Sequence, residues 1–151
     1  MSVDYQNNTN LINELKTRKS DIVESFNEIA LNMVNHLGGE FKDSIFGKNN
    51  TMIKNFFKFK PNEIIIMFLD NIYANDDFRK QIKAGNESFF MAQSYDKAKN
   101  AGYESRIFEF KDIWSKMTNS TKMIVKESMI MLIDHCELYI DILSQINKLK
   151  K

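Results

Sequence analysis

Apolar side chains recur every three or four residues over two long stretches at opposite ends of the chain, and this pitch narrows the accessible folds most. Near the start, Ile12, Leu15, Ile22, Phe26, Ile29 and Met33 are spaced by three, four or seven residues. On a helix of 3.6 residues per turn they share one face. Near the end, Val125, Met129, Leu132, Cys136, Tyr139, Leu143 and Ile146 hold a four-three repeat. A second line, Ile124, Met131, Leu138, Ile142 and Leu149, widens that apolar face, which predicts contact with several elements rather than a two-stranded coiled-coil seam. The spacing predicts a first helix over 11–37, capped by Asn10 and closed by Gly38-Gly39, and a last helix over 121–149 starting at Ser120. Each would run about 42 Å, two struts enclosing shorter helices. Lys19 and His36 fall on the first stripe, where a solvated edge is the expected setting.

Between the struts the pattern predicts shorter helices. One is expected near 51–58, ending at the Lys60-Pro61 break. The run Asn62 to Ala74 is apolar on nearly every side; Pro61 before it, Glu63 in its first turn and the lack of a second β-rich run favour a central buried helix over a strand through Ile64–Leu69. Asn75-Asp76-Asp77 should cap a short helix reaching Ala84 and closed by Gly85. Residues 86–103 read as a half-helical connection. A further helix from Glu104, carrying Ile107, Phe108, Phe110, Ile113, Trp114 and Met117, should stop at Thr118-Asn119. The expected fold is therefore all-α, a single-domain bundle of about five to six helices. Residues 1–9 are expected as a flexible N-terminal segment ahead of one helical domain over 10–151.

Composition limits the partners. Over 151 residues, 21 basic and 20 acidic side chains leave a net charge of +1, so no global field draws the chain to nucleic acid or an anionic membrane. The longest apolar run, Ile64 to Leu69, is far below the ~20 residues that span a bilayer, and neither a signal peptide nor a membrane anchor is expected. The single cysteine, Cys136, excludes an intrachain disulfide. Lys, Ile and Asn, numbering 18, 18 and 17, share A/T-rich codons. Individual Asn and Lys residues therefore carry less weight as chemical signals.

Reactive constellations are poor. Asp134-His135-Cys136-Glu137 groups four ligand types, but neighbours on a helix fan out by about 100° and do not converge on one ion. No Gly-x-Ser-x-Gly elbow or glycine-rich phosphate loop occurs. Asp76 and Asp77 are accounted for by helix capping. No catalytic, cofactor-binding or metal site is expected, and the chain is not expected to be an enzyme.

Two features point to binding. In Lys54-Asn-Phe-Phe-Lys-Phe-Lys60, the cations Lys54, Lys58 and Lys60 alternate with Phe56, Phe57 and Phe59. The rings can pack inward beneath a solvated lysine face, the lysines and rings can grip phosphates and bases of a single strand, or the segment can dock on a protein. Second, twelve Phe, five Tyr, nine Met and one Trp are many for a small helical protein, and such residues are enriched at interface centres as well as cores. Trp114, beside Asp112 and Lys116, is a candidate interface anchor.

The motif Glu87-Ser-Phe-Phe90, then Phe110-Lys-Asp-Ile-Trp114, Lys122 and a long helix through Tyr139 resemble, over about 61–142, small all-helical proteins of nucleocytoplasmic large DNA viruses. That resemblance implies a viral accessory or virion-associated protein without catalytic residues, placed in host cytoplasm, virus factory or virion. The expected function is thus a non-enzymatic, helical protein-interaction or structural accessory protein acting through an apolar helical face. Its partner would be another protein, its own copy included. The rival is a nucleic-acid-binding module using 54–60.

Overall fold

The computed structural model describes residues 3–87 and 112–150, with side chains from residue 7. All the regular structure described is helical, as the spacing predicts: α1 (Val3–Glu40), α2 (Ile45–Lys48), α3 (Asn50–Phe59), α4 (Glu63–Phe68), α5 (Asp76–Lys83) and α6 (Asn119–Lys150), with a further helical turn at 112–116. The long first and last helices are the two struts. The expected connection beyond Glu87 and the helix from Glu104 as far as residue 111 lie outside the described residues.

Several boundaries differ from expectation for local reasons. The first helix starts at Val3, so Asn10 lies inside it and residues 3–9, read from sequence as a flexible lead-in, carry its first turns. Gly38-Gly39 do not end it; it continues to Glu40, and the only positive φ among the described residues is Gly85 at +66°. Gly85 closes α5 as expected, and Asn75 caps that helix by accepting the Phe78 N–H at 3.1 Å. The last helix is capped by Thr118 rather than begun at Ser120: Thr118 Oγ1 accepts the Thr121 N–H at 3.2 Å.

Helix α6 runs antiparallel to α1. Thr121 at its start lies beside the end of α1, where its hydroxyl donates to Glu40 Oε2 at 2.6 Å. His135 meets Ser25 midway, and Ile142 and Ile146 join Leu15 in a smaller cluster near the start of α1. The main core gathers Val23, Phe26, Ala30 and Leu37 from α1, Ile65 from α4, Ile82 from α5, then Ile113, Trp114 and Met117, and six residues of α6 from Val125 to Tyr139. The predicted α6 line is buried at every position except Leu143, which is half-buried. On α1 the buried line is shifted: Val23, Ala30 and Leu37 are fully buried, while Ile22, Ile29 and Met33 are half-buried. A helix covered by α6 on one side and shorter helices on the other buries two adjacent lines.

Two expectations about the core are corrected. The run from Asn62 is helical, yet it is not buried on all sides; Ile65 is enclosed while Ile66 and Met67 face solvent. It lies in the outer layer, where one face alone is covered. It passes into a π-helical turn, Leu69–Tyr73, closed by the Ala74 N–H on the Leu69 carbonyl at 2.9 Å. This wider turn keeps Leu69, Ile72 and Tyr73 together against the core. The second α6 line is also not uniformly inward, because Met131 and Leu138 are exposed. No helix among the described residues is long and apolar enough to cross a membrane.

Candidate functional site

Helix α3 is held on the outside of α1 at both ends by asparagines. At its start, Asn50 Nδ2 donates to Asn35 Oδ1 at 3.0 Å; just past its end, Asn27 Nδ2 donates to the Pro61 carbonyl at 2.8 Å. These clamps fix which flank of α3 faces inward. At about 100° per residue, Ile53 and Phe57 fall on the covered flank, and both are half-buried, Phe57 against the main core. Met52, Phe56 and Phe59, at i, i+4 and i+7, fall on a neighbouring flank that nothing described covers. They are 64%, 37% and 72% exposed.

The alternating segment is therefore split three ways. Phe57 packs inward, Phe56 and Phe59 stand in solvent with Met52, and the lysines are solvated. Lys54 and Lys58 lie on the opposite flank from Met52, and Lys60 follows the helix end; all three are exposed. The Lys58 ammonium stands 5.6 Å from the Phe59 ring centroid, a cation–π contact of about 0.5–1 kcal/mol at an exposed position. None of Lys54, Lys58 and Lys60 joins an ion pair among the described residues. From Ser44 to Asn62 the chain carries four lysines and no acidic residue. That local excess is hidden in the near-neutral total.

Trp114 does not behave as an interface anchor. It is 2% exposed within the main core, with Lys122 Nζ 5.5 Å from its ring centroid and Lys122 in turn 3.2 Å from Glu87 Oε1.

The four ligand types at 134–137 diverge, as helical spacing demands. Asp134 is exposed, Glu137 pairs with Lys83 across to α5, Cys136 is buried, and His135 turns to α1. Burial, and to a lesser degree the Glu137 charge, pushes the Cys136 thiol up to about 12. Almost no thiolate exists near neutrality, so the sulfur is a packing atom. Iodoacetamide at about pH 8 is expected to leave Cys136 unmodified in the folded chain and to label it fully in urea, read by intact mass. Rapid labelling without denaturant would contradict this placement.

His135 forms a contact that sequence reading did not anticipate. Its Nδ1 lies 2.7 Å from the Met131 carbonyl and its Nε2 2.9 Å from Ser25 Oγ. A carbonyl only accepts, so Nδ1 donates to it, and in the neutral ring Nε2 then accepts from the serine hydroxyl. This is the geometry of an oriented base on a hydroxyl. Both residues sit mid-helix, however, where backbone N–H groups are committed to the helical ladder and leave no donor pair for an oxyanion. The pair clasps α1 to α6.

The site residues that stand in solvent on α3 are the apolar line Met52, Phe56 and Phe59, with Lys54 and Lys58 on the opposite flank and Lys60 past the helix end. No protein-family model, curated protein or solved structure matches this chain.

Proposed function

We propose that this chain is a non-enzymatic helical accessory protein that docks onto another protein through the outer flank of α3. The observation that carries this reading is the line Met52, Phe56 and Phe59, left in solvent on a helix clamped at both ends. Spacing of i, i+4, i+7 is how an amphipathic helix presents anchors to an apolar groove. Fully burying each such side chain is worth about 1.5–3 kcal/mol, and the clamps mean that little ordering entropy is lost on binding. The viral, virion- or assembly-associated setting rests on the resemblance over 61–142.

The nucleic-acid alternative draws on the same exposed rings and lysines. It is the weaker reading because Lys58 already stands over the Phe59 ring, where a base would stack, and because Met52 extends the line as an aliphatic anchor.

A photo-crosslinking residue in place of Asn55, on the exposed side of α3, tests the proposal in cells expressing the chain. The expected result is one discrete protein adduct that disappears in Phe56→Ser/Phe59→Ser, while that variant keeps its stability within about 0.5 kcal/mol, as exposed substitutions do. An adduct unchanged in the variant would overturn the reading. So would affinity of the purified chain for a single-stranded oligonucleotide at low salt, lost in Lys54→Gln/Lys58→Gln/Lys60→Gln.

A further inference from the structure

Sulfur chemistry in the folded chain falls on its methionines. The sequence carries nine of them and one cysteine. Cys136 is buried and its thiol is pushed up to about 12, so it offers almost no thiolate to an oxidant near neutrality. Among the described methionines, Met117 and Met129 are enclosed in the main core and Met33 is half-buried. Met67, Met123 and Met131 stand in solvent, between 46% and 60% exposed, and Met52 exceeds them all at 64%. Met52 is therefore the most open thioether described. It alone of these four lies on α3, one turn before Phe56 on the exposed line. Of the three side chains on that line, only Met52 carries an oxidisable sulfur.

Given the docking role proposed for α3, on which this step rests, we infer that Met52 is a modification site, a thioether whose oxidation to the sulfoxide by a hydroperoxide blocks docking through α3. A sulfur lone pair takes one peroxide oxygen as the O–O bond breaks and the S–O bond forms. The sulfur is oxidised by two electrons, and the peroxide is reduced to an alcohol, or to water from hydrogen peroxide, with its proton on the departing oxygen. The product is a polar, chiral side chain in place of a flexible apolar one. A groove shaped for an apolar anchor leaves the new oxygen without a donor, which opposes its burial. The fold is spared, because nothing described covers Met52 and its sulfoxide stays hydrated in the unbound chain. The same change at Met117 or Met129 would put an oxygen into the core. Methionine sulfoxide reductases remove that oxygen as water while a dithiol is oxidised to a disulfide, so the block is reversible.

Hydrogen peroxide on the full-length purified chain tests this. Peptide mapping by mass spectrometry should find sulfoxide forming at Met52 on the order of tenfold faster than at Met117 or Met129, with circular dichroism and the urea midpoint unchanged. For docking, the chain carrying the photo-crosslinking residue at Asn55 is oxidised, freed of peroxide and added to extract of the cells that give the adduct, so that only this chain is modified. Adduct yield should fall on the order of tenfold, the loss of one buried anchor, and return after treatment with the reductases. Met52→Leu, which conserves volume, should give the parent's adduct and keep it after the same exposure, even though Met67, Met123 and Met131 are oxidised. Met52 reacting no faster than Met129, an oxidised parent that keeps its adduct, or a Met52→Leu chain that loses it would each overturn the inference. An untreated parent that gives no adduct would overturn the docking role of α3 and this inference with it, a result told apart from the others because it arises before any peroxide is added.

Discussion

Trp114→Ala should cost about 3–5 kcal/mol of folding stability, the range for emptying a buried large aromatic site. The ring is among the largest side chains fully enclosed in the core, where it meets Ile113, Met117 and the inward line of α6. Its removal leaves a cavity between elements that are otherwise rigid helices and cannot collapse to fill it. For a protein of this size total stability is on the order of 5–15 kcal/mol, so the urea midpoint followed by circular dichroism should fall steeply, with the slope unchanged. Phe59→Ala provides the contrast. It deletes an equally aromatic residue from a position 72% exposed and should move the midpoint by less than about 0.5 kcal/mol equivalent. If Trp114→Ala instead left stability intact and removed only partner binding, the ring would be an anchor after all, and its placement in the core would be wrong.

The contrast between these aromatics shows what sequence periodicity can and cannot resolve. A four-three repeat identifies the inward line of α6 because one side of that helix is buried along most of its length. For α1 the same logic finds Leu15 and Phe26 but misses Val23, Ala30 and Leu37. Counting large apolar residues along one line overlooks a second line that becomes buried only when shorter helices arrive on the other side. The 54–60 segment is harder still. Its three phenylalanines lie on two flanks, and which flank is covered depends on Asn35, Asn27 and the Pro61 carbonyl, contacts between residues distant in sequence. Asparagine abundance from codon bias is a reason to discount such residues, and here three of them, Asn27, Asn35 and Asn50, position the candidate site. The second α6 line, Ile124, Met131, Leu138, Ile142 and Leu149, reads as apolar contact surface from spacing alone, and only the packing shows Met131 and Leu138 exposed.

The glycines at the end of α1 separate in the same way, and the separation gives a second large effect. As a pair, Gly38-Gly39 look like a helix stop; in the fold they are helical and have opposite surroundings. A Cβ at Gly39 would meet nothing within 4 Å, whereas one at Gly38 would lie 2.7 Å from the Phe46 carbonyl oxygen. Gly47 completes the close approach: a Cβ there would fall 2.2 Å from the Lys42 carbonyl oxygen and 2.7 Å from Lys42 Cα. These are backbone atoms, which no rotamer change can move aside. Gly47→Ala should therefore force the 42–47 turn away from its position and lose about 1–3 kcal/mol or more, as over-packing does. Gly38→Ala should lose less, because its contact is longer and helix propensity offsets part of the clash. Gly39→Ala should gain up to about 1 kcal/mol, the helical preference of alanine over glycine at an open position. Thermal or urea unfolding of the three variants should order them Gly39→Ala above the parent, then Gly38→Ala, then Gly47→Ala. Because α3 follows this turn directly and is tied to Asn35 on α1, Gly47→Ala should also weaken binding through α3, an effect Gly39→Ala should not share. A Gly47→Ala chain as stable as the parent would mean that the turn does not approach itself this closely, and the placement of α3 derived from it would have to be redrawn.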